Sequence, residues 1–255
     1  MKSPLKYNPL RNPGQSGDEY IQEYLLDKAL PLIIFAFGMV LLAILEWYRW
    51  ATNSPPIPIL MTVIAIFSVL YAVIRGAIVR KKLKALRLGR DGEIAVGQYL
   101  ELLRENGAKV FHDIPGNGFN LDHVVIDKSG IYVIETKTFS KPEKGQPIVI
   151  YDGEKVLVNG KEAGRNPVIQ VKAACNWLKE QLKHSTGKDC NPRPVVVFPG
   201  WFVQPTVEAK NSDVWVLNPK ALPSFISKSK SQLENDDINL FSFHLSRYVR
   251  EESRH

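Results

Sequence analysis

Asp122, Glu135 and Lys137 are the residues of this chain whose types and spacing suggest chemistry. They lie in two runs rich in β-branched and aromatic residues, on either side of the turn Asp127-Lys128-Ser129-Gly130. That pattern is a β-hairpin signature. Closing the turn at Lys128-Ser129 places Ile126 opposite Ile131, Val124 opposite Val133 and Asp122 opposite Glu135. Facing Cβ atoms are then roughly 4.5–5.5 Å apart. The two-residue period of a strand puts Lys137 on the same face as Glu135. Like charges held opposite one another destabilise a sheet, so the pair asks for compensation. A divalent cation would provide it, and hard carboxylate oxygens suit Mg²⁺ or Mn²⁺. An exposed hairpin whose charges are solvated, with Lys137 offsetting the acids, fits the same spacing.

Several elements must hold that hairpin. After Gly89-Arg90-Asp91-Gly92-Glu93 a helix is predicted to end near Gly107, a good C-terminal cap. Its apolar stripe reads Val96, Leu100 and Leu103, and Gly97 allows close packing. Glu93 continues the stripe one turn earlier. There it either complements the helix dipole or points at the acid pair. Lys109 to His112 reads as a first strand, and Pro115-Gly116-Asn117-Gly118 as a loop. Short strands follow at 148–151 and 155–158, punctuated by the turn dipeptides Asp152-Gly153 and Asn159-Gly160. Asn166-Pro167 starts a helix, with a capping Asn and Pro at the first helical position. Its inner side is read as Gln170, Ala174, Trp177, Leu178 and Gln181. Gln170 is then either a satisfied core amide or a group that holds water or phosphate. The run 194–199 is a buried strand by its continuous apolar character. Residues 214–217 form another strand, 221–226 a short helix, and 238–248 a surface helix in a charged tail.

The first third of the chain is different. Residues 29–45 and 57–74 are uncharged apolar runs, each near the lower limit of about 17–20 residues needed to cross a bilayer. Trp47, Tyr48 and Trp50 follow the first run, where an interfacial aromatic belt would lie. Pro55, Pro56 and Pro58 mark a short connection. The expected element is a transmembrane helical hairpin over 29–80. A helix is expected to lead into it from Asp18. Arg75, Arg80, Lys81, Lys82, Lys84, Arg87 and Arg90 crowd the exit of the second run, while the connection carries only Arg49. The positive-inside rule puts both termini and the main domain in the cytoplasm, on an inner or plasma membrane. The chain's formal charge is +7. Much of that excess lies in this juxtamembrane cluster, where anionic lipid headgroups are sufficient partners. Cys175 and Cys190 offer neither a disulfide framework nor a zinc-type spacing.

The ordered series Gly89-x-x-Gly92-Glu93, Asp122, Glu135-Thr136-Lys137 and Asn166-Pro167-x-x-Gln170 resembles the nuclease-related domain, a family grouped with the PD-(D/E)XK nucleases. The resemblance covers roughly residues 88 to 198. Leu121 stands where the superfamily label has Pro, a position that supplies no ligand. The resemblance implies an α/β fold, a mixed central sheet flanked by helices, here preceded by the two-helix transmembrane hairpin. It also implies metal-dependent phosphodiester hydrolysis. Asp122 and Glu135 would bind Mg²⁺ or Mn²⁺, joined by the Thr136 backbone carbonyl. Lys137 would orient or deprotonate the attacking water, Glu93 would support a ligand or second metal, and Gln170 would place water or phosphate.

The resulting expectation is a membrane-anchored, cytoplasm-facing nuclease acting on nucleic acid, DNA in the first instance. Its segments are 1–28, the hairpin 29–80, a basic linker 81–88, the nuclease-related domain 89–227 and the tail 228–255. The alternative is an inactive module that binds nucleic acid or protein at the membrane, or a structural platform for membrane assembly. No competing catalyst emerges. His123 should face away from Asp122, Ser129 lies in a turn with no base beside it, and the five histidines show no metal-ligand spacing.

Overall fold

The period-2 and period-3.6 patterns resolve into a mixed α/β fold. The computed structural model describes residues 10–52, 57–162 and 164–252. Two compact units divide them. One comprises the described residues up to Gln15 together with those from Leu88 onward, and the other is Ser16–Arg87.

In the larger unit a five-stranded sheet has the order β1-β2-β3-β7-β9. Its strands are β1 (Lys109–Pro115), β2 (Asn120–Asp127), β3 (Gly130–Thr136), β7 (Arg193–Val197) and β9 (Trp215–Leu217). The first three are antiparallel, whereas β3, β7 and β9 run parallel. A smaller sheet, ordered β6-β5-β4-β8, comprises β4 (Ile148–Tyr151), β5 (Val156–Val158), β6 (Lys161–Glu162) and β8 (Phe202–Pro205).

The β2–β3 register is the predicted one: Ile126 faces Ile131, Val124 faces Val133 and Asp127 faces Gly130. Asp127 fixes the turn by accepting from both the Ser129 N–H and hydroxyl through Oδ2, at 3.1 and 2.7 Å. Such an Asx turn tightens the connection without needing a backbone partner.

Alternate residues of the large sheet feed two cores, as a pleated strand requires. On one side Val124, Ile126, Ile131, Val133 and Val196 pack with α4 (Pro167–Thr186) and α6 (Asn235–Glu252). On the other, Val125, Tyr132, Ile134, Val195 and Val197 meet Val96, Leu100 and Leu103 of α3 (Pro58–Glu105) and Leu222 and Ile226 of α5 (Leu222–Ser227). The predicted stripe of α3 is therefore the buried one. In α4 the buried line is Val168, Val171, Ala174, Cys175, Leu178 and Leu182, which includes the expected Ala174 and Leu178. Gln170 and Gln181 flank it rather than belong to it. Asn166 caps α4 by accepting from the Val168 N–H at 2.9 Å.

The helix expected to begin near Glu93 has no separate start. It is the continuation of α3, which runs through Gly89 and Gly92. Residues 10–14 belong with this unit. Leu10 packs against the first core, and Arg11 bonds Asp113 at 2.8 Å. A β-carbon on Gly97 would come within 2.8 Å of the Pro13 ring. The expected N-terminal segment 1–28 is thus divided between the two units.

In the smaller unit, α1 (Gln15–Tyr24), a π-helical turn at Leu25–Ala29 and α2 (Leu30–Ala51) form one rod that α3 follows. Gln15–Ala51 and Pro58–Glu105 are both long and apolar enough to cross a membrane. Only 6% and 17% of their most apolar stretches are buried. Ile33, Phe37, Ile59 and Phe67 are all exposed. The Trp47 indole donates to Thr62 Oγ1 at 2.9 Å, tying α2 to α3. The expected connection at Pro55 and Pro56 lies outside the described residues.

Candidate active site

Four of the five predicted site side chains interact. Asp122 and Glu135 repel each other, Glu93 repels both, and Lys137 offsets all three. The β2–β3 ladder delivers the first two. It pairs residues as far as His123 and Ile134, so the next step along each strand brings in Asp122 and Glu135. There the backbone ladder stops, and Asp122 Oδ2 accepts the Thr136 N–H at 2.6 Å. Lys137 Nζ donates to Glu135 Oε1 at 2.6 Å, and its N–H bonds the Val197 carbonyl of β7 at 2.9 Å.

Glu93 arrives from the opposite layer because Gly92 lets α3 approach. A β-carbon at Gly92 would stand 1.9 Å from Thr138 Cγ2, a distance no packing tolerates. Gly92 of the Gly89-x-x-Gly92-Glu93 motif therefore acts in packing. Any side chain at 92 would push Glu93 away from Lys137.

Burial and mutual repulsion set the protonation of this cluster. Desolvation, then Glu135 and Glu93, hold the Asp122 carboxyl well above the usual carboxylate range. Desolvation, with Asp113 and Glu135, pushes Glu93 up to about 7. Asp113 is an acid that the sequence reading did not single out. It is 1% exposed, has a left-handed backbone at φ 50°, and accepts from Arg11 and Asn120 at 2.8 and 3.1 Å.

Gln170 is on the second turn of α4. Its Oε1 is buried without a hydrogen-bond partner, a costly state unless something outside the protein supplies a donor or cation. No interaction joins it to the acids among the described residues.

The carboxylates suit a hard divalent cation by their donor chemistry, since a cation would relieve the repulsion that raises Asp122 and Glu93. Their present contacts are with protein donors instead. Among the described residues no group of three or more His, Cys, Asp or Glu side chains is arranged to hold a metal ion.

His112 and His123, paired across β1 and β2, lie on the reverse side of this hairpin, His123 facing away from Asp122 as predicted. Their Nδ1 atoms are 2.9 Å apart. His123 Nε2 is 3.3 Å from Thr136 Oγ1, and His112 Nε2 is 3.5 Å from Glu101 Oε1.

Comparison with known proteins agrees with the motifs. The family model of the nuclease-related domain matches residues 88–199, starting where the larger unit resumes after the apolar helices. No curated protein matches the chain. Among solved structures it is similar to SfsA of Pyrococcus furiosus in complex with Ca²⁺, with 18% identity over 49% of this chain and a TM-score of 0.26. The match covers 52% of that protein, about half its length, and the score is too low to bear on the site.

Proposed function

We propose that this chain is a membrane-anchored, metal-dependent nuclease whose active residues are Glu93, Asp122, Glu135, Lys137 and Gln170. The observation that carries the reading is the gathering of three carboxylates and one ammonium at the end of β2 and β3, with two of the acids driven up by burial and then by repulsion. A divalent cation such as Mg²⁺ or Mn²⁺ would be held by Asp122, Glu135 and the Thr136 carbonyl. When bound, it would neutralise phosphate charge and acidify water. The chain's own groups do the rest. Lys137, freed from Glu135, orients the attacking water and stabilises charge developing on the phosphate. Glu93, with an affinity near neutral pH, takes up a proton from the site. Gln170 offers its amide to water or to a phosphate oxygen. DNA is the proposed substrate.

Membrane anchorage is supported by the exposed apolar faces of α2 and α3, too large for an ordinary soluble surface. The placement of residues 10–14 in the same unit as residues from Leu88 onward supports it further. Both flanks of the apolar pair must then share one side of a bilayer, as a hairpin demands. The basic run from Arg75 to Arg90 favours the cytoplasmic side of an inner or plasma membrane, against anionic lipid headgroups.

The Lys137–Glu135 pair also favours a second reading, a tethered module that binds nucleic acid or protein without cutting. Full-length protein in detergent, incubated with plasmid and with single strands, separates the two. Cleavage that needs Mg²⁺ or Mn²⁺ and disappears in Asp122→Ala and Lys137→Ala supports the enzyme. Binding with no metal-dependent cleavage supports the module.

A further inference from the structure

The buried histidines are not used by the proposed chemistry, yet they end on the residue between Glu135 and Lys137. We propose that His112, His123 and Thr136 form one hydrogen-bonded row that positions the Thr136 peptide, and so the N–H that holds Asp122. The kinetic part of this rests on the nuclease reading above. The structural part does not.

The row is buried: His112, His123 and Thr136 are 6%, 0% and 8% exposed. Two Nδ1 atoms 2.9 Å apart can bond only if one carries hydrogen and the other does not. Either ring can be the donor, and the Thr136 hydroxyl suits both cases, since it can accept from His123 Nε2 or donate to it. The charges facing the pair are Glu101, Arg104 and Asp113, and Glu101 Oε1 stands 3.5 Å from His112 Nε2.

Thr136 needs such a hold. It is the last residue of β3, and on the β2 side the backbone ladder has already ended. Its N–H meets a side-chain carboxylate that repulsion from Glu135 and Glu93 would otherwise displace. The hydroxyl anchored on His123 resists that displacement from behind. Thr136 is thus a positioning residue through its side chain, whatever its carbonyl binds.

The test uses the full chain in detergent, selectively labelled with ¹⁵N, without substrate. Nitrogen shifts should show hydrogen on one of the two facing Nδ1 atoms and not on the other. Hydrogen on both, or on neither, overturns the row. In Thr136→Val, which keeps the branched shape, amide exchange at residue 136 should quicken roughly tenfold while Tm holds. Thr136→Ser should restore it. Unchanged exchange in Thr136→Val overturns the positioning role. In the cleavage assay the same variant should lower kcat roughly tenfold with KM held, the size expected of an outer-layer partner. A wild type that cleaves nothing counts against the nuclease reading, and the tautomer and exchange results still decide the row.

Discussion

The β2–β3 hairpin carries two lines of polar groups that leave the same strands in opposite directions and are settled by opposite means. On one side Asp122 and Glu135, joined by Glu93, concentrate like charge that the protein only partly offsets with Lys137 and the Thr136 N–H. On the other, His123 and Thr136, together with His112 of β1, are more deeply buried, and each finds a partner within 3.3 Å. Groups placed for stability are satisfied by their neighbours. Groups held under repulsion in a folded domain are placed for something else, because folding alone would have removed them. The contrast separates function from architecture between residues 112 and 137, with Glu93 brought in from α3.

The contrast breaks most readily at Asp122. Asp122→Asn should lower metal-dependent cleavage by roughly 100-fold or more, yet leave Tm at pH 8 unchanged or higher because a repelling charge is gone. A large fall in Tm would place Asp122 among the structural groups. His123→Leu tests the other face. It leaves the buried Nδ1 of His112 and the Thr136 hydroxyl without partners, which should destabilise the fold by about 1–3 kcal/mol in chemical unfolding.

Glu93 sharpens the comparison through pH. Its carboxyl is raised from 4.5 to about 7, so the folded state binds that proton more tightly than the unfolded chain. Its contribution is complete below about pH 4.5 and is lost as pH rises through about 7. In chelator, stability should therefore fall between pH 5 and 8, by at most roughly 3 kcal/mol before solvent screening. Glu93→Gln should flatten that slope. At the small end, Lys155→Ala removes an exposed partner of Glu162 on the second sheet and should leave both Tm and cleavage unchanged. A measurable effect there would show that surface charges count as much as the cluster.

Much of this was readable before any coordinates. The hairpin register followed from a turn flanked by alternating β-branched residues, and a one-residue slip would have moved every apolar side chain to the wrong core. The stripe Val96, Leu100, Leu103 and the Asn166 cap were equally local signals. The helix start at Glu93 was misread because glycines look like punctuation. Gly92 instead serves a close approach to Thr138, visible only once α3 and the segment after β3 are packed. Of the inner line read for α4, Ala174 and Leu178 are buried, whereas Gln170 and Gln181 lie beside them because the buried residues at 168, 171, 175 and 182 set the face. The imidazole pair had a signal in the parity of His123, but pairing it with His112 needed the register across the 116–119 loop. β8 was missed because Phe202–Pro205 is short, mostly exposed and ends in Pro. Asp113 had no readable partner, since Arg11 lies 102 residues away in sequence.

That separation has a bearing on how the chain is made. Arg11 leaves the ribosome ahead of both apolar helices, while the carboxylate it binds is synthesised 102 residues later, roughly 5–20 s at ordinary elongation rates. During that interval the leading segment has to wait for the strand that will hold it. One seam of the fold that closes only after both apolar helices are made is therefore formed by some of its earliest described residues.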